Sequence, residues 1–107
     1  MDNKEKGRDM ANKKKRPVVI VGGHEGRLVF FGRTSETQPD EKGGITLHAA
    51  QNCIYWRGIK GMSDLAVSGP GDQCRVGPPV KKQWVSNCSS ILECSTDAAE
   101  RWEAQPW

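Results

Sequence analysis

The sequence predicts an α+β domain, small and β-rich, in which short antiparallel strands are followed by a C-terminal helix. Three observations point there. Twelve Gly and six Pro in 107 residues favour short strands joined by turns over long helices. β-branched and aromatic residues cluster in runs of strand length bounded by Gly, Pro or polar residues. Near the end, Thr96-Asp97 precede Ala98, Ala99 and Trp102 at a spacing that puts apolar mass on one side of a helix.

Taken in order, Pro17 to Val21 is a β-branched run stopped by Gly22-Gly23, and Arg27 to Gly32 is a second. The intervening Gly-Gly-His-Glu-Gly has the composition of a hairpin loop. Residues 34–44 are polar, end in Gly43-Gly44 and read as an exposed loop. Ile45 to Leu47 and Cys53 to Trp56 read as two short strands, separated by Ala49-Ala50-Gln51-Asn52. Met62 to Val67 suits one helical turn, stopped by Ser68-Gly69-Pro70. Gln73 to Val76 reads as a strand broken by Gly77-Pro78-Pro79, and Ile91 to Cys94 as a late strand. The last helix is expected from a Thr96-Asp97 cap through Glu103.

A chain of this length holds one domain with a modest core. The formal net charge of +3 is uneven: residues 1–16 carry a net +4 and the remainder a net −1. We therefore expect a disordered basic tail over residues 1–16, within which Met10 begins a plausible shorter start, and a single β-rich domain over 17–107. The body lacks the basic excess of a folded nucleic-acid reader, so such binding would fall to Lys13, Lys14, Lys15 and Arg16 in the tail. No apolar run approaches the roughly 20 residues that span a bilayer, and the N-terminus does not read as a signal peptide. The expected location is cytoplasmic, in the cytoplasm of a host bacterium.

Cys53, Cys74, Cys88 and Cys94 stand 21, 14 and 6 positions apart, without the close pairs that preset a zinc site. They read as buried thiols acting as small hydrophobes, Cys94 best of all, with Arg75 beside Cys74 as the one setting for a reactive thiol. No metal and no cofactor is expected. His24 sits beside Glu25 in a hairpin loop and reads as solvated, His48 could face either side of its strand, and no nucleophile, base or metal motif is present. The chain is expected not to be an enzyme.

The series Ile45–Trp56 (ITL-x-x-A-x-N-C-I-Y-W), Leu65–Pro70, Cys74–Pro78 (C-R-V-G-P), Ile91–Cys94 and Pro106-Trp107 resembles a family of small phage and prophage proteins catalogued only as a domain of unknown function. The resemblance covers about residues 17–107 and implies a phage or integrated-element origin; it brings no activity and no functional residue.

Binding residues come from the side chains themselves. Tyr55 and Arg57 share one face of their strand, and Trp56 takes the other. Tyr and Arg together suit stacking and phosphate contact, and also the hot spots of protein interfaces. Gly69 and Gly77 lie in turns that bracket Arg75, which could offer a guanidinium fork to phosphate or carboxylate. Trp84, Trp102 and Trp107 fall in the last quarter of the chain: Trp102 reads as the helix anchor, and an indole at Trp107 as docked on its own domain or a neighbour. With so small a core, a homo-oligomer is expected. The function expected is a phage-encoded binding or inhibitor protein for host takeover or anti-defence. It would cap a host protein or sequester a small anionic ligand through Tyr55, Trp56, Arg57 and Arg75. A virion or assembly component is the alternative, and a nucleic-acid accessory protein acting through its tail the weaker one. No membrane partner is expected.

Overall fold

The structure, a computed structural model, describes residues 14–107. Its elements are β1 (Arg16–Gly22), a 3-10 turn (His24–Gly26), β2 (Leu28–Thr34), β3 (Ile45–Tyr55), α1 (Met62–Val67), β4 (Arg75–Val76), β5 (Val80–Val85), β6 (Ser90–Glu93) and α2 (Thr96–Ala104). The α+β, strand-rich class is as expected: one six-stranded antiparallel sheet with a C-terminal helix. Along the sheet the order is β3-β2-β1-β6, and the free edge of β3 is shared, β5 pairing its first half and β4 its second.

The β1–β2 hairpin forms where its β-branched run predicts, in register from Arg16↔Thr34 to Gly22↔Leu28. Its loop takes three left-handed residues in a row of four, Gly23, Glu25 and Gly26. β1 begins at Arg16, the last residue of the expected tail. The Arg16 guanidinium grips Glu93 on β6 at 2.7 Å and donates to the carbonyls of Thr34 and Glu36.

Three elements differ from the sequence reading. The two strands expected over 45–56 are one strand, because Ala49 adopts a left-handed φ of 53° and absorbs the interruption as a bulge. The register accordingly slips between Phe31↔Gln51 and Arg33↔His48, and consecutive Ala50 and Gln51 are both buried. β5 (Val-Lys-Lys-Gln-Trp-Val) was not foreseen; it is an edge strand, where exposed lysines obscure the alternation and also discourage edge-to-edge association. The cap of α2 is Ser95 in place of Thr96-Asp97: its Oγ accepts from the Ala98 amide at 3.0 Å and donates to the Val67 carbonyl at 2.9 Å, tying α2 to the end of α1.

Each face of the sheet carries its own apolar cluster. On the helix side, Val19, Val29, Phe31, Cys53 and Val76 meet Leu65 and Ala66 of α1 and Ala99 and Trp102 of α2. Trp102 is fully buried, stacks on Phe31 at 5.2 Å with the rings 8° from parallel, and donates its Nε1–H to the Leu65 carbonyl at 3.0 Å. On the other side Val18, Ile20, Phe30, Ile45, Leu47, Ala50 and Val85 are buried with no helix over them.

Curling of the sheet explains that burial. β5 and β6 lie at opposite ends of the pairing order yet are joined by residues 86–89. Five flat strands would set them about 19 Å apart, and five residue steps reach at most about 18 Å. The sheet therefore rolls until the link lies across the end of β1, where the Gly23 amide donates to Ser86 O at 2.6 Å and the Ser89 amide to Val21 O at 2.8 Å. Gly22 permits this approach, since a Cβ there would stand 2.9 Å from Ser86 O and 3.1 Å from Asn87 O and Cys88 Cα.

Two substitutions test this account by urea unfolding. Trp102→Phe should cost about 2–4 kcal/mol, from lost volume and an unpaired buried carbonyl. Gly22→Ala should cost about 1–3 kcal/mol, because the atoms it strikes are backbone. Gly71→Ala, which meets nothing within 4 Å, should stay within about 0.5 kcal/mol of wild type. Equal stability of the Gly22 and Gly71 variants would contradict the crossing as described.

Candidate functional site

The far end of β3 brings two of the sequence-nominated residues together. A second register shift falls between Cys53↔Val76 and Tyr55↔Arg75, so an extra residue, Ile54, lies between the two pairs. Cys53 and Val76 point into the helix-side core, whereas Tyr55 and Arg75 are exposed cross-strand partners. Around them is a hollow of about 350 Å³ lined by Tyr55, Asp72, Cys74, Arg75, Gln105, Pro106 and Trp107. Tyr55 is 50% and Trp107 66% exposed.

The walls are held from beneath. The Gln105 amide donates to the carbonyls of Gly71 and Cys74 at 3.1 and 3.3 Å, fastening the segment after α2 to the loop that carries Asp72. The Cys53 thiol donates to Tyr55 O and the Cys74 thiol to Arg57 O, each at 3.7 Å, so two buried thiols anchor the Tyr55–Arg57 backbone. Tyr55 and Arg75 thus project from a braced strand end.

The other nominated residues do different work. Trp56 is half-buried against the helix-side cluster. Arg57 is exposed and does not line the hollow; its carbonyl accepts from the Cys74 thiol. Gly69, at φ 83°, lets α2 pack close: a Cβ there would sit 2.9 Å from Arg101 Cβ and 3.0 Å from Ala98 O. Gly77 has no free cradle, since its amide donates to Asn52 O and its carbonyl accepts from Gln51 Nε2. Of the basic cluster, Lys13 lies outside the described residues, Lys14 and Lys15 are exposed, and Arg16 is taken up by Glu93. Asp72 and Gln105 were not nominated as binding residues from the sequence, and Pro106 entered only as part of the closing Pro106-Trp107 motif. Trp107 was expected to be docked; its exposure shows that its own domain leaves most of the indole uncovered.

A larger hollow of about 560 Å³ lies at Asp40, Glu41, Lys42 and Trp84. Its Asp40 carboxylate and Trp84 indole N–H are already occupied, while Glu41 and Lys42 are exposed. Trp84 Nε1 donates to Asp40 Oδ2 at 2.8 Å, and the Asp40 carboxylate also accepts from the amides of Lys42 and Gly44. These contacts, the Trp84 bond first, hold Asp40 below the usual carboxylate range. Trp84 lies so close over Gly44 that a Cβ there would stand 2.3 Å from the ring, which makes this a clamp for the 35–44 loop.

Groups that could begin covalent chemistry are poorly disposed. Burial pushes the Cys53 thiol up to about 12, and burial with the nearby Glu93 charge pushes Cys94 up to about 12. The expectation of thiols as small hydrophobes is met most fully by Cys53 and Cys74, while Cys94 is half-buried. The His24 side chain is 89% exposed, 3.5 Å from Glu25. His48 is held below its ordinary value, chiefly by burial. Among the described residues no group of three or more His, Cys, Asp or Glu could hold a metal, and no helix is long and apolar enough to cross a membrane.

Compared with known proteins, residues 15–102 match the family described as a domain of unknown function, DUF6948. The match takes in most of the chain, and the chain belongs to that family. It includes the motif series from Ile45 to Cys94 and stops short of Trp107. No curated protein and no solved structure matches.

The thiols give this region a direct readout. At pH 8 the native protein should alkylate at Cys53 and Cys94 about a thousandfold more slowly than the urea-unfolded chain, because the thiolate fraction falls by that factor between a pKa of about 9 and about 12. Mass mapping after iodoacetamide treatment checks it, and native rates near the unfolded ones would contradict the burial.

Proposed function

We propose that this member of the family is a non-enzymatic binding protein that sequesters a small anionic ligand in the Tyr55–Arg75–Trp107 hollow. The observation that carries the reading is the cross-strand pairing of Tyr55 with Arg75 at the lip of a concave surface. A guanidinium offers a fixed fork to phosphate or carboxylate, and an aromatic neighbour adds a stacking surface. A volume near 350 Å³ falls in the range of small-molecule sites, which favours a small ligand over the flatter face of a host protein. The raised pKa of the Cys53 and Cys94 thiols and the solvated His24 support binding without turnover.

The motif series supports placing this activity in a phage or integrated element, where removing a small signal from the host cytoplasm would serve takeover or anti-defence. Subunits meeting at the uncovered Trp107 would deepen the hollow, in keeping with the expected homo-oligomer.

Pyrophosphate serves as the probe. Titrated at low salt and followed by amide chemical shifts, it should perturb Tyr55, Arg75 and Trp107, with at least tenfold weaker binding in Arg75→Ala and unchanged binding in Arg27→Ala. Arg27 is exposed and lies on the β1–β2 loop, beside Glu25. Shifts scattered over the surface, or insensitive to Arg75, would overturn the reading.

A further inference from the structure

We infer that the ligand is a nucleoside phosphate, its base against Tyr55 and Trp107 and its phosphate on Arg75; this rests on the hollow being the binding site. The argument starts from charge. Arg75 and Asp72 line the same hollow and both are exposed, so the two formal charges cancel. A bare anion drawn to Arg75 also meets the Asp72 carboxylate, which weakens its binding without abolishing the pull of the guanidinium. The hollow is matched by a molecule that brings an anion for Arg75 and hydrogen-bond donors for Asp72. Sugar hydroxyls and the exocyclic amines of bases are such donors, and a carboxylate accepts from either.

The aromatic groups narrow the class further. Tyr55 reaches the hollow from β3 and Trp107 from the segment after α2, so their rings come from independent elements and both keep at least half their surface open. Exposed aromatic side chains from separate elements suit a flat π-system laid between them, and base–aromatic stacking is tolerant of which base it is. Sugar phosphates lack the flat group, and aromatic carboxylates lack the row of hydroxyl donors. A nucleoside phosphate has the planar ring, the donors and the anion in a single molecule.

Beneath this surface the floor is fixed. The Gln105 amide nitrogen is held by Gly71 O and Cys74 O, on either side of Asp72 in the chain, and the Cys74 thiol by Arg57 O. Asp72 and Arg75 are therefore presented from one loop and strand whose backbone is pinned at both ends, which lowers the ordering cost of binding.

The test is calorimetric titration of the full chain with AMP, GMP, CMP and UMP, against ribose 5-phosphate and pyrophosphate. The tightest mononucleotide should bind at least tenfold more strongly than ribose 5-phosphate. Tyr55→Leu should remove that margin and Tyr55→Phe should keep it. Asp72→Asn should strengthen pyrophosphate severalfold while leaving the mononucleotide unchanged or weaker, a divergence that a merely structural role for Asp72 would not produce. Pyrophosphate bound at Arg75 with no mononucleotide surpassing ribose 5-phosphate would overturn the nucleoside inference and leave the anion site standing. Failure of every probe to bind would overturn both.

Discussion

The stacking of Trp102 on Phe31 is the contact through which the layers of this domain hold together. One indole touches the sheet through its ring face and α1 through its Nε1–H, while its backbone belongs to α2. α1 has six residues and α2 nine, too short to persist alone in water. Each depends on the tertiary contact, and Ser95 adds a polar tie between them. The Arg33–Glu103 pair at 2.9 Å closes the same interface at its rim, where partial exposure limits it to a minor contribution.

Curling solves the problem that two short helices can cover one sheet face at most. By rolling, the sheet buries the second face against itself, and small residues make room for the approach. Gly22 admits the β5–β6 link, and Gly32 admits Leu47, whose Cβ would lie 2.8 Å from an added methyl. Bulges finish the shape. Ala49 bends β3 so that β5 and β4 can both use its edge, and the shift at Ile54 turns Tyr55 outward. The same irregularity that ends the strand pairing thus exposes the candidate site, as bulges near functional positions do elsewhere.

Rigidity below and openness above distinguish this hollow from the one at Asp40 and Trp84. The Asp40–Trp84 hollow is larger, yet its indole N–H and the Asp40 carboxylate are satisfied by each other, and the ring is committed to holding the loop. At the Tyr55–Arg75 end the internal bonds fasten the supports, while Tyr55, Trp107, Arg75 and Asp72 are exposed. Available chemistry, more than volume, makes this hollow the candidate site.

By itself the sequence determined the class of fold, the β1–β2 hairpin, both helices and Trp102 as anchor, and it nominated Tyr55, Trp56, Arg57 and Arg75 without showing which of them meet. Those features are local: β-branched runs, Gly-rich turns and helical spacing act over a few residues. It did not show β5, because an edge strand has one paired side and its lysines mask the alternation. Nor did it show that Ile45 and Tyr55 share one strand, since a bulge keeps pairing across a stretch that reads as a break. Gly69 and Gly77 looked like anion turns, but whether a turn's amides are free depends on what packs against them, and here Asn52, Gln51 and α2 do. The union of Asp72, Gln105 and Trp107 with Tyr55 and Arg75 was decided only by the tertiary structure, for it spans more than fifty positions and arises from the pairing of strand ends and the return of the chain after α2.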